Sequence, residues 1–441
     1  MSYDLIIENG ILLLPWGEVE ADIAVKDGRI AAIGKSLGVA ERVFNAAHLH
    51  VLPGIIDPHV HFRDGGYGGI PGVEDMRSGS LAAVLGGVTT ALDMPNTKPP
   101  TTSEETVRTK YAYIPGHTYC DFGFYVGATK ENADDLGRME EMPGVCGIKV
   151  FAGSSTGDLL VEDDENIERV LRASRHLVAF HAEDEYRLRA RKPRFHAGDP
   201  YATHAEWRDP ECAALGARRV TALARKTNKR AHILHCSTEP EFTYLKAHKD
   251  IMSVEVLVNH LLQTGPEAYE RLGGYAVMNP PIRSAEHVAA AWAAIADGTA
   301  DTIASDHAPH TAEAKERPWP SCHSGLTGVQ TALPLMLTQV NAGRLSLLRL
   351  VDLMSAGPAR IYGAVGKGRI ATGYDADFSI VDMKASRKIE NAWIASQCGW
   401  TPFAGTPCTA WPVGTIIRGN VVMFEGVVEG EPQGRAISFR H

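Results

Sequence analysis

The sequence predicts a (β/α)₈ barrel joined to a small β-sandwich domain that both chain ends build. Three observations lead there. Eight apolar, strand-like runs alternate with helix-like segments through the middle of the chain, hairpin signals sit at both ends, and polar side chains recur just after the apolar runs. The expected organisation is 1–53 for the N-terminal part of the β-sandwich, 54–365 for the barrel and 366–441 for the C-terminal part of the sandwich. No Ser/Gly-rich linker or charge block marks the junctions, so these boundaries are soft by several residues.

In residues 1–53, Asn9-Gly10 and Asp27-Gly28 are hairpin signals, the second between Ile23-Ala24-Val25 and Ile30-Ala31-Ala32-Ile33. At the other end Phe378-Ser379-Ile380-Val381 reads as a strand, and Gly419-Asn420 and Glu425-Gly426 lie between Val/Ile-rich runs. Chain termini often lie close together, so the two β-rich ends are expected to pair. The barrel strands are expected at 55–61, 88–93, 121–127, 146–151, 177–181, 231–235, 252–257 and 302–306. Helix-like segments such as 74–86, 163–175, 206–226 and 285–297 separate most of them. The competing architecture, a doubly wound open sheet, ordinarily carries a glycine-rich phosphate turn after an early strand, and none occurs here.

Composition narrows the class. A chain of 441 residues suits one large domain plus a smaller one, and 44% hydrophobic with 22% charged residues is ordinary globular usage. A net charge of −9 and a pI near 6.1 argue against a nucleic-acid or anionic-membrane partner. No run of 18 apolar residues suggests a membrane span, and the N-terminus leads straight into a strand without a signal-like region, so a cytoplasmic protein is expected. Seven scattered cysteines without a C-x-x-C pair fit a reducing compartment; Cys236 is expected to be a small packing residue.

The chemistry gathers around residues 54–64. Side chains alternate along a strand, so His59, His61 and Arg63 are expected to share a face, with Val60 and Phe62 on the other. Two imidazoles so spaced can reach one metal ion, with an arginine beyond them for an anionic substrate; an H-x-H taken alone also fits two packed rings. Other runs end alike: Asp93-Met94-Pro95-Asn96-Thr97, Phe180-His181-Ala182-Glu183, Leu234-His235-Cys236-Ser237-Thr238 and Ser305-Asp306-His307-Ala308-Pro309-His310. In a barrel these ends meet on the C-terminal face. Taken alone, His181 or His235 fits a satisfied core histidine better than a metal ligand. Lysine in an apolar strand is usually an edge or snorkelling residue, but Ile148 and Val150 facing the helices leave Lys149 facing the interior. A lone ammonium is costly there. Reaction with CO₂ would remove the charge and create a carboxylate-like bridge for two cations. His232, three residues before His235, is expected to face the opposite way and to be structural.

The segments PGIIDPHVHFRD (53–64), GGVTTALDMPNTKPP (86–100), GIKVFAGSSTG (147–157), FHAEDE (180–185), HILHCST (232–238), NPPIRS (279–284) and SDHAPHT (305–311) together resemble the amidohydrolase superfamily, and within it the dihydroorotases of the cyclic-amidase branch. The resemblance runs nearly the whole chain, through Gly373-Tyr374-Asp375-Ala376-Asp377. It implies two Zn²⁺ per chain. His59 and His61 would hold the first and His181 and His235 the second, with Lys149, carboxylated by CO₂, as the bridge. Asp306 would be both a first-metal ligand and the catalytic proton shuttle. Arg63, Asn96 and His310 would read a substrate carboxylate, and Asn279 would be a further substrate contact. The implied reaction is the reversible interconversion of L-dihydroorotate and N-carbamoyl-L-aspartate in pyrimidine biosynthesis, through a hydroxide activated by the metal pair. The implied partners are a small anionic substrate, further copies of the chain in a dimer or tetramer, and another pyrimidine-pathway enzyme.

Two departures stand out. Asp64-Gly65-Gly66 replaces the Glu-Pro-Gly that dihydroorotases commonly carry, which is expected to loosen the loop behind Arg63, and Asn259-His260 stands where many have paired histidines. The nearest competing reading is another cyclic-amide hydrolase, an allantoinase or a hydantoinase. Met94-Pro95-Asn96-Thr97 and Gly153-Ser154-Ser155-Thr156-Gly157 look like dihydroorotase, and hydantoinases usually lack an arginine at position 63. A metal-free scaffold would be expected to have lost ligands, and all six positions here keep competent side chains. A one-metal deaminase would not need Lys149. The charged, proline-containing stretch Thr311–Ser324 is expected to be a mobile lid.

Overall fold

The computed structural model describes residues 2–155 and 159–440. The chain opens with β1 (Tyr3–Leu14), β2 (Gly17–Lys26), β3 (Arg29–Gly34), β4 (Ala40–Asn45) and β5 (His50–Pro53). Asp27 and Gly28 turn β2 into β3 with φ of 51° and 74°, the left-handed pair that a two-residue hairpin requires. Asn9-Gly10 is not a hairpin. It lies inside β1, where the register against β2 shifts between Ile7 and Gly10, and Asn9 takes φ 61°. The turn between β1 and β2 is at Pro15-Trp16, so the Asn-Gly pair makes a bulge instead. A side chain at Gly10 would come within 2.7 Å of Val51.

Eight parallel strands follow: β6 (Ile55–Val60), β7 (Val88–Asp93), β8 (Asp121–Gly127), β9 (Val145–Phe151), β10 (Val178–His181), β11 (Ala231–Ile233), β12 (Met252–Leu257) and β13 (Thr302–Ala304). Each pairs with the next, and the His61 N–H donates to the His307 carbonyl at 2.7 Å to bring the last strand end to the first. All their residues are buried, because helices cover the outside and side chains fill the inside. The helix Pro210–Thr227 shows how sequence sets the cover. Asp209 caps its start by accepting from the Cys212 N–H at 3.0 Å, Pro210 takes the first position, where no N–H is needed, and Asn228 ends it at φ 54°.

The two chain ends form one mixed, nine-stranded sheet. Its central join is β14 (Phe378–Asp382), antiparallel to β5 on one side and to β15 (Trp411–Ile417) on the other. Beyond lie β16 (Asn420–Phe424) and β17 (Val427–Val428), with left-handed turns at Arg418-Gly419 and Glu425-Gly426. Only Gly54 separates β5 from β6, and a Cβ there would meet the Thr89 hydroxyl at 2.3 Å, so the sheet can feed straight into the barrel only through glycine. Lys367 ties the two layers beneath the barrel, donating to Asp121 at 2.6 Å and Asp377 at 2.5 Å. Asp121, Asp375 and Asp377 are close enough together to hold a cation, but this ammonium already fills the position. No helix among the described residues is long and apolar enough to cross a membrane.

Candidate metal centre and substrate site

The first group of donors forms where the barrel closes. His59 Nδ1 faces Glu255 Oε1 at 2.8 Å and His61 Nδ1 faces Asn96 Oδ1 at 2.7 Å. Each pairing puts the ring proton on Nδ1 and leaves Nε2 bare. Both Nε2 atoms point at Asp306 Oδ1, at 3.2 and 3.1 Å, and the three donors fit around one cation. Burial pushes His61 down to about 3, so its ring is neutral. Burial alone would raise Asp306, but the neighbouring His59, His61 and Lys149 outweigh it and hold the carboxyl well below its usual range. His61 and Asp306 are therefore in the protonation states a divalent cation needs.

The second group stands across from it. Lys149 lies in β9 between Ile148 and Val150, which pack into the outer core, so its amine points inward. It is 1% exposed, has no hydrogen-bonding or acidic partner among the described residues, and lies 4.6 Å from the Phe151 ring. Burial lowers it to about 7, against the pull of Asp306 and Glu255. His181, at the end of β10, directs Nε2 to Glu183 Oε2 at 2.9 Å, which leaves Nδ1 facing His235 Nε2 at 3.0 Å. Glu183 is itself paired with Arg208 at 2.8 Å; burial would raise it, but Arg208 and His181 take it to about 2. The His235 ring is held well below its usual range by burial and by His181 and Lys149.

His232 does not face the opposite way from this cluster. It stands level with Ala179 and Ser253, gives or accepts a bond with Ser253 Oγ at 2.7 Å, and brings Nε2 to 4.0 Å from Glu255. The strand ends at Ile233, and His235 turns inward because its backbone takes φ 40°. Simple alternation fails at that point.

The substrate end has a different character. Arg63 is 4% exposed at φ 61°, with no carboxylate within 4 Å among the described residues, and burial takes its guanidinium down to about 10. His310 lies 3.5 Å from it and donates from Nε2 to the Ser324 carbonyl at 3.0 Å. Asn279 accepts from His204 Nε2 at 2.9 Å and points its amide nitrogen at Ser155 Oγ, 3.5 Å away. His59, His61, Arg63, Asn96, Lys149, His181, His235, Asn279 and Asp306 line one cavity, with Phe151, Ser155, Ala308, Ser324 and Gly325. His310 lines an adjoining cavity that shares Arg63 and Asn96. The residues Thr156 and Gly157 of the predicted motif lie outside the described residues.

One expectation about loops changes. Asp64 does not loosen the loop behind Arg63. Its Oδ1 accepts from the N–H groups of Gly66, Tyr67 and Gly68 at 2.8, 2.9 and 3.1 Å, and Oδ2 from Met76 at 3.3 Å, so one buried carboxylate gathers the loop. The segment 311–324, expected as a mobile lid, carries structure of its own. It contains the helix Ala312–Glu316, and the fully buried Lys315 amine donates to the carbonyls of Val277, His323 and Gly325 at 2.9, 2.6 and 2.8 Å.

The donors fit a divalent-metal centre. Four imidazoles with ring directions set, one ionised carboxylate and one amine without a hydrogen-bonding or acidic partner among the described residues converge in a single buried cavity. Glu183 and Glu255 are the functional residues that sequence reading passed over, although a glutamate inside the apolar run Met252–Leu257 carries the same signal that singled out Lys149.

Comparison with known proteins agrees with this chemistry. Residues 50–422 match the model of the Amidohydrolase family, and residues 1–48 that of the Urease alpha-subunit, N-terminal domain. A dihydroorotase of Methanosarcina acetivorans is 33% identical over 432 residues, covering 93% of this chain and 90% of that protein. An L-hydantoinase of Paenarthrobacter aurescens is also 33% identical, over 97% of this chain and 96% of that protein. The solved structure of an L-hydantoinase (dihydropyrimidinase) from Arthrobacter aurescens superposes with a TM-score of 0.92 at 30% identity, covering 99% of this chain and all of that one.

Proposed function

We propose, from the premise that this chain belongs to the amidohydrolase family and is a cyclic amidohydrolase, that its substrate is a cyclic amide bearing a carboxylate and its reaction that of a dihydroorotase: reversible hydrolysis of L-dihydroorotate to N-carbamoyl-L-aspartate. The observation that carries the substrate is Arg63. A buried guanidinium without an acidic partner among the described residues, opening on the same cavity as the metal donors, asks for an anionic group of the ligand.

His59, His61 and Asp306 would hold one Zn²⁺, His181 and His235 a second, and Lys149 would join them as an N-carboxylate. Bound there, the ion pair supplies Lewis acidity at the amide carbonyl and brings water's pKa near neutrality. Lys149 is suited to carboxylation because its burial leaves much of the amine neutral near pH 7. The nitrogen lone pair attacks CO₂, the N–C bond forms, and a proton leaves for solvent. In the hydrolysis, Asp306 accepts one proton of the attacking water and passes it to the ring nitrogen as the C–N bond breaks; the new carboxylic acid gives water's other proton to solvent, so the products are a carboxylate and a ureido group. Arg63 orients the ring through its carboxylate, with His310 and Asn279 beside it. Asn96 fixes the His61 tautomer and borders the same pocket.

A second reading, hydrolysis of hydantoin- or allantoin-type rings, has the L-hydantoinase similarity in its favour. The two separate on kcat/KM for dihydroorotate, hydantoin and allantoin measured side by side. The proposal expects dihydroorotate to lead by at least about tenfold, the effect of one unmatched buried polar group. A lead for an uncharged ring would favour the second reading.

A further inference from the structure

We propose that Glu255 is a positioning residue that locks both halves of the metal centre with one oxygen. Oε1 accepts a hydrogen bond from His59 Nδ1–H at 2.8 Å and another from the backbone N–H of His235 at 3.1 Å. The first contact aims His59 Nε2 at the first cation position. The second secures the backbone of His235, a residue that offers its ring to the other position from a left-handed conformation at φ 40°. A non-glycine residue adopts that conformation only where its surroundings compensate, and a charge-assisted hydrogen bond from its own N–H does so.

The remaining contacts of Glu255 argue that this is its purpose. It is 0% exposed in the interior of the barrel, where an ionised carboxylate is costly. Its other oxygen, Oε2, has no hydrogen-bond partner among the described residues, and the nearby His232 Nε2, 4.0 Å away, is beyond bonding range and likewise unpartnered. A carboxylate kept for packing or fold stability would have both oxygens satisfied. This one is satisfied only where it touches the two ligands, and a glutamate at the centre of the apolar strand β12 serves no packing need. Partners of metal-bound histidines fix ring tautomer and direction, and their loss typically weakens metal affinity 10–100-fold.

This inference rests on the metal-centre reading, and its test separates the two. Glu255→Gln keeps the shape and an acceptor oxygen but loses the charge. Zinc affinity at each position is read by chelator competition on the full chain, alongside kcat and KM. Both ions are expected to be held at least about tenfold more weakly than in wild type, with kcat reduced and KM within about twofold. Histidine imidazole NMR of the metal-free wild type is expected to show His59 protonated on Nδ1, and that spectrum decides the matter if the variant does not fold. Two ions held as tightly as in wild type, a loss confined to one ion, or His59 protonated on Nε2 would overturn the proposal. A wild-type chain that binds no cation would remove the metal reading, and this inference with it.

Discussion

Arg63→Met isolates the group on which substrate choice depends. Methionine keeps most of the apolar stem and removes the guanidinium, which is buried and has no carboxylate within 4 Å to release among the described residues. The neighbouring contact at 3.5 Å, to His310, is a weak one, since His310 already donates to the Ser324 carbonyl. The loss therefore falls on the bound substrate. A hydrogen bond to a charged group contributes about 1.5–3 kcal/mol, and a carboxylate gripped by two guanidinium N–H groups loses both, so about 3 kcal/mol is a modest expectation. At about 1.4 kcal/mol per factor of ten, kcat/KM on dihydroorotate falls at least about 10²-fold. Turnover of an uncharged ring such as hydantoin changes little, because it never used the guanidinium. The assay is kcat/KM for both substrates in wild type and variant, followed by ring absorbance. Equal losses on both rings would show that Arg63 supports the site as a whole and would refute the carboxylate argument.

Asp306→Asn removes the proton acceptor and should lower kcat at least about 10²-fold, the lower bound for general acid–base catalysis; an unchanged kcat and pH profile would take Asp306 out of proton transfer. Carboxylation of metal-free enzyme by CO₂ should quicken with pH through about 7, because only the neutral amine reacts and burial brings Lys149 down to about 7. At fixed dissolved CO₂ and a fixed excess of Zn²⁺, reactivation at pH 8, where about nine-tenths of the amine is neutral, should outpace that at pH 6, where about one-tenth is; a flat profile would contradict the burial argument. Asp64→Ala strands the N–H groups of Gly66, Tyr67, Gly68 and Met76 and should cost about 1–3 kcal/mol in denaturant unfolding, while an unchanged midpoint would mean that water serves those groups. Lys315→Met should raise amide hydrogen exchange across 311–325, and undiminished protection would show that the three carbonyls are not what pins the segment.

Much of the barrel is legible in the sequence because its strands are buried on both faces and so read as apolar runs, which places all eight. The donors are legible because chemistry on this architecture collects just past strand ends. What escapes is whatever depends on the backbone rather than on the run of residue types. Asn9-Gly10 has the composition of a hairpin but sits in a bulge, since the chain turns six residues later than the Asn-Gly pair suggests, at Pro15-Trp16 just past β1. The direction of His235 follows from a left-handed residue after β11, which alternation along a strand cannot foresee, and His232 is misdirected by the same assumption. Asp64 reads as a loosening substitution until its four N–H partners are seen together. Glu255 gains its meaning only from His59 and His235, which the fold brings to it from other strands, and Glu183 from Arg208 together with its near neighbour His181.

The central claim is a two-cation centre bridged by Lys149, and metal stoichiometry tests it most directly. Elemental analysis of full-length enzyme, purified with Zn²⁺ and bicarbonate and freed of loosely bound ions, is compared between wild type and Lys149→Ala. Two ions per chain are expected in wild type and at most one in the variant, with partial recovery of the second ion and of activity when a short-chain carboxylic acid fills the bridge. Two ions retained by Lys149→Ala, together with full activity, would contradict the account.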